Sequence, residues 1–204
     1  MPKTDAVAET WSGDSLPIVD LIQAASGQFI RIVCSVEPDS WSSSTPADLT
    51  VREVVDHVVA GNIFATRLLS GASAGDSVAG LDSDQLGDNL LAALTTSCVA
   101  QQLAFTNADR TLALHHPSGD ITLETFVRFR AGDLVVHAWD IAIGATLDPA
   151  LDPATVNALW TIVEPHVDSM RAMGSYGPGA SGTLPPDASP QSLLLDAFGR
   201  RPPS

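Results

Sequence analysis

Positive charge is what this sequence has least of. Ten lysines and arginines face 24 aspartates and glutamates, for a net charge of −14, and Lys3 is the only lysine. With no basic stripe to assemble and a pI near 4.4, the chain is unsuited to phosphate backbones or anionic membrane surfaces. Cysteine is nearly missing. Cys34 and Cys98 each lie in an apolar, helical-looking stretch, at a spacing that matches no zinc motif. Small buried thiols in a reducing cytoplasm are the expectation. The start MPKTDAVAET lacks the basic-then-apolar profile of a signal peptide. Nowhere do about 18 apolar residues run uninterrupted, so no membrane span is expected. There is no Gly-rich phosphate cradle, no Gly-x-Ser-x-Gly elbow and no Cys-x-x-Cys. Nucleotide-dependent and serine-hydrolase chemistry are thereby set aside.

What is present is enough for one substantial domain: 204 residues, 45% hydrophobic, with mean hydropathy +0.16. We expect a flexible polar arm over residues 1–14 and a single domain over 15–204. From Ser15 to Val36 apolar residues recur every three to four positions, a helical stripe. Thr50-Val51-Arg52-Glu53 is a capping box that opens a second helix over Val51–Leu69. A Gly/Ser/Asp-rich loop from Ser70 to Asp82 precedes a third helix expected over Ser83–Asn107. Pro117-Ser118-Gly119-Asp120 is turn chemistry between two short runs, a small hairpin. A fourth helix follows over Thr122–Ile143, closed by Gly144. A fifth covers Pro153–Met173, and after a Gly/Pro/Ser-rich loop SPQSLLLDAFGR forms a short closing helix. The fold class expected is all-α: a four-helix bundle with a small β-hairpin and additional C-terminal helices.

The fourth helix carries the chemistry. Its middle is apolar on most sides, as in a buried helix, yet Arg130, Asp133, His137 and Asp140 fall at i, i+3, i+7 and i+10 along one face. Buried polar groups need partners. Asp133 and His137, one turn apart, can reach a common cation, although the same spacing also serves a hydrogen bond or an ion pair. His57 sits on the second helix, flanked by Val54, Val55, Val58 and Val59. Two histidines and a carboxylate on two helices would leave an open position on a divalent ion, zinc first, nickel or iron as alternatives. Asp140 could orient a ligand histidine or pair with Arg130 or another arginine. Asn62 and Arg130 are candidates to face the open position. Trp139 is expected in the core, His115 and His116 as an exposed turn pair, and His166 at the surface.

The runs STPADLTVREVVDHVVAGN, DLVVHAWDIAIGATL and TLPPDASPQSLLLDAFGR resemble actinobacterial metal-binding proteins. These are related to the N-terminal domain of mycothiol-dependent maleylpyruvate isomerase, within the DinB-like bundle superfamily. The resemblance implies metal ligands at His57, Asp133 and His137, a DinB-like bundle, and a low-molecular-weight thiol, mycothiol, acting on a small electrophile. The isomerases tend to carry Glu where this chain has Asp133. Leu49 stands where a Trp would be expected, and no separate C-terminal domain is expected beyond Arg201. Isomerase activity on maleylpyruvate therefore does not follow from the resemblance. A metal- and thiol-dependent isomerase or transferase is one expectation; a non-catalytic metal-binding or ligand-sensing module, compatible with a homodimer, is the other.

Overall fold

In a computed structural model of the chain, the described residues are 18–111, 113–174, 176–185 and 187–201; the arm expected over 1–14 lies outside them. Helix α1 spans Ile18–Cys34 and buries Leu21, Ile22, Ala25, Phe29 and Val33, the stripe its sequence spacing requires. Helix α2, Val51–Leu69, starts at the capping box. The Thr50 hydroxyl accepts from the Glu53 backbone N–H, and the Glu53 carboxylate accepts from the Thr50 N–H at 2.8 Å. These bonds satisfy two of the amides that a helix start leaves unpaired.

The third long helix begins later than expected. Gly87 has φ +54°, which no α-helix accommodates, and Asn89 caps α4, Leu90–Asn107, by accepting from the Ala92 N–H. The expected start at Ser83 is thus displaced, and the preceding loop holds a short helix α3, Ala74–Val78, capped by Ser73. The hairpin forms as expected: β1, Leu114–His116, pairs antiparallel with β2, Gly119–Ile121, with His116 opposite Gly119 across a two-residue turn. Helix α5, Leu123–Gly144, is capped by Thr122.

The fifth expected helix is broken in two. Helix α6, Pro153–Val163, gives way to a 3-10 turn at Glu164–His166, and α7 resumes over Val167–Met173. Pro165 supplies the reason, since its ring excludes an N–H and crowds the preceding turn. Helix α8, Pro190–Ala197, closes the fold behind the Ser189 cap.

The four long helices make a closed ring of neighbours: α1 lies against α5 and α4, and α2 lies against the same two. The class is mostly α with one small hairpin. Helix α5 is buried along most of its circumference, with Phe126, Leu134, Trp139 and Ile141 in the core. Helix α6 lies against α5 and α8 against α6, and Gly132 on α5 faces the ring of Phe198, just past α8, so closely that a Cβ there would collide with it.

Candidate metal centre

Helix α2 turns its valines inward, with Val54, Val55, Val58 and Val59 all buried, and this rotation leaves the His57 side chain about half exposed, at 51%. The histidine among valines is therefore not on the buried face. Across the helix pair, α5 presents Asp133 and His137 one turn apart. His57 Nε2 lies 3.2 Å from Asp133 Oδ1, and His137 Nε2 lies 3.3 Å from the same oxygen. The two imidazoles meet edge to face at 4.9 Å between ring centres. All three donor atoms lie within 4.8 Å of one another.

The donor set is one that could hold a metal ion. Charge-assisted hydrogen bonds to a carboxylate run about 2.7–2.9 Å, shorter than either nitrogen–oxygen separation here. Donors about 2.0–2.1 Å from a tetrahedral cation stand about 3.3 Å apart, close to both.

A chain of polar contacts runs from this cluster into the core. Arg130 Nη1 donates to Asp133 Oδ2 at 2.6 Å, Nη2 to Asn62 Oδ1 at 2.8 Å, and Nε to Gln101 Oε1 at 2.9 Å. Asn62, fully buried, donates onward to the Ser97 hydroxyl at 3.0 Å. Arg130 thus stands beside the cluster as a holder of Asp133. Asn62 is fully buried and is not among the residues that line the neighbouring cavity. Gly61 makes room, because a Cβ there would overlap the Arg130 guanidinium.

On the other side, Asp140 is completely buried, with Oδ2 2.9 Å from His137 Nδ1. Its cation is Arg200, not Arg130: Nε and Nη2 each donate to one carboxylate oxygen at 2.8 Å. Arg200 reaches back because Gly199 adopts φ +74°, where a Cβ would strike the Tyr176 carbonyl.

The electrostatics follow from these contacts. Burial alone would raise the Asp133 carboxyl, but the charges of His137 and Arg130 and the contacts from both histidines hold it well below the usual carboxylate range. Burial opposes charge on His137, yet Asp133 and Asp140 pull its value up to about 9. Asp140 is likewise lowered against its burial by His137 and Arg200. These side chains form a line of alternating charge, Arg130–Asp133–His137–Asp140–Arg200.

A cavity of about 700 Å³ opens beside His57 and Asp133. Phe64, Phe126, Phe129, His116 and Tyr176 line it. His116 thus departs from its expected place in an exposed turn. It is half-buried, edge-on to Phe64 at 5.5 Å and Phe129 at 6.0 Å, whereas its neighbour His115 is exposed and 2.9 Å from Asp120. Neither belongs to the donor cluster. His166 is half-buried in its 3-10 turn, and Trp139 is core. Sequence reasoning missed the cavity rings, Tyr176 and Arg200. For Arg200 a signal existed, because an aspartate as enclosed as Asp140 needs a cation and the closing run ends in Gly-Arg.

A family model described as the mycothiol maleylpyruvate isomerase N-terminal domain matches residues 22–142, a span that contains the donor cluster and Asp140 but not Arg200. Two uncharacterized proteins from two strains of Mycobacterium tuberculosis are each 25% identical over 133 residues, 64% of this chain and 69% of theirs. No solved structure gives a significant match.

Proposed function

The chain belongs to the family of the mycothiol maleylpyruvate isomerase N-terminal domain, and from that premise we propose that it holds one divalent metal ion on His57, Asp133 and His137 for use with a low-molecular-weight thiol. One observation carries this function: donor atoms from two helices converge within 4.8 Å. Two imidazoles and one carboxylate suit zinc, with nickel or iron(II) as alternatives, and leave a position for water or thiol. When bound, such an ion lowers the pKa of a coordinated thiol or water and so provides a nucleophile at neutral pH. The family description names mycothiol and an isomerase, and isomerisation or S-transfer on a small electrophile is the chemistry we propose.

The chain's own residues prepare the site. Asp140 accepts the Nδ1–H of His137, which leaves Nε2 with its lone pair directed at the cluster. Arg200 keeps Asp140 ionised through two parallel hydrogen bonds. Arg130 anchors Asp133 Oδ2, so Oδ1 stays turned to the imidazoles. The half-exposed His57 borders the cavity through which a substrate would enter. A single domain over 15–204 in the cytoplasm is part of the same proposal; both cysteines are free, Cys98 buried as expected and Cys34 exposed, contrary to expectation.

The test is elemental analysis of the full chain purified without chelator. About one equivalent of metal is expected in the wild type. The His57→Ala/His137→Ala double variant should lose it, while His115→Ala/His116→Ala retains it. Metal-free wild type, or a double variant at His57 and His137 that keeps its metal, would sink the proposal.

A further inference from the structure

The cavity beside the cluster has the size of a small-molecule site, about 700 Å³. Its walls are rings. Phe64 meets Phe126 edge to face at 5.8 Å, and His116 stands edge-on to Phe64 and Phe129. Leu81 and Ala60 extend the apolar side.

Its positive charge is already committed. Among the described lining residues Arg130 is the one fixed cation, and each of its three guanidinium nitrogens donates within the protein, to Asp133, Asn62 and Gln101. Burial lowers the His116 value, which leaves its ring neutral at pH 7. Burial and Asp133, against the opposing charge of Arg128, push the Tyr176 hydroxyl up to about 12, so it remains a neutral donor. Asp133 itself adds negative charge to the wall. Without an ion on the histidines, a dianion here would shed its hydration against phenyl rings, beside a lining arginine whose three nitrogens already donate within the protein. An ion on the histidines would meet one carboxylate and leave the other facing the rings.

We infer that this cavity takes an uncharged, ring-bearing organic molecule, packed against Phe64, Phe126 and Phe129 with its reacting end toward His57 and Asp133, and not a dicarboxylate such as maleylpyruvate. The direction of the reacting end rests on the proposed metal function; the aromatic seat rests on the cavity alone. Rings suit such walls because edge-to-face packing adds to the burial of apolar area. The substrate class therefore differs from the one in the family's name.

The test uses the full chain, both chelated and reloaded with zinc, with naphthylmethanol as the neutral probe and maleate as the dianion. Naphthylmethanol should bind saturably in both states and shift the His116 ring resonances in proton–nitrogen NMR. Maleate should bind more weakly by about tenfold or more. Ala60→Phe, which fills the cavity, and Leu81→Asp, which charges its rim in a turn, should each weaken the probe by about tenfold. Maleate binding as tightly as naphthylmethanol in either state overturns the inference, as does probe binding that ignores both substitutions. Zinc that loads while the probe fails removes the aromatic seat and leaves the metal function standing. Probe binding in a chain that takes up no zinc keeps the seat and removes the metal function.

Discussion

Two pairs of histidines occupy opposite physical settings in this molecule. His57 and His137 meet across α2 and α5, backed by Asp133 and Asp140, two carboxylates that arginines hold from behind. His115 and His116 share one short strand, and their polar partners, Asp120 and Ser118, lie in the same hairpin. By residue type the pairs look alike. The difference is that the first has its geometry imposed by packed helices and the second by a two-residue turn. A site that must present donors at fixed separations needs supports that do not move, and only the helical pair has them.

The sharpest way to break this contrast is to remove the supports one at a time. Asp140→Ala should be the most damaging. It leaves Arg200 without its partner beside an enclosed imidazole, and breaking one side of such a buried pair costs about 3–5 kcal/mol. Urea denaturation of the chelated protein should show that loss, and zinc affinity should fall about 10–100-fold. Asp120→Ala, which removes the exposed partner of His115 at the other pair, should stay within about 0.5 kcal/mol. Equal losses from the two substitutions would erase the distinction.

Arg200→Met comes next, because it unties Asp140 without touching a ligand. A tenfold or greater drop in zinc affinity is expected, about the lower limit for such supporting contacts. Arg200→Lys should recover only part, since a single ammonium cannot make both parallel contacts. Full affinity in the Met variant would show that Asp140 positions His137 unaided. Gly61→Ala should act in a third way, by forcing the Arg130 guanidinium off its place over α2. Overpacking of this kind costs about 1–3 kcal/mol, and part of it should reappear as weaker zinc binding through Asp133.

Acid should separate the pairs by a smaller margin. Protons compete with the metal for His137, whose value stands at about 9, so metal affinity should fall as pH drops below about 9 in equilibrium dialysis. His116 should titrate below the ordinary histidine value of about 6.5, because burial disfavours its charged form. An NMR midpoint at or above that value would show that the cavity wall is wetter than its packing implies.

Much of the fold was legible along the chain. The Thr50–Glu53 box and the hairpin turn are local features, carried by residues within a few positions of one another, and they formed where expected. The displaced start of α4 and the break at Pro165 were also local, marked by Gly87 and Pro165, and at Pro165 an apolar pattern that continues to Val167 and Met170 concealed the break. The polar stripe on α5 was visible because charge in an apolar helix is conspicuous. Its meaning depended on facing groups that no spacing rule supplies: Arg200, 60 positions from Asp140, and Asn62, 68 from Arg130.

The sequence by itself determined the mostly helical class, the hairpin and the residue types able to bind a metal. All of these follow from periodicity, caps and the scarcity of positive charge. Only the tertiary structure decided that His57 faces a cavity and not the core, that Arg130 is spent on Asp133, and that His116 is a wall of that cavity. The physical reason is reach. Local patterns specify which face of a helix is apolar, but which side chain satisfies a buried charge depends on how the helices rotate and cross when the whole core closes.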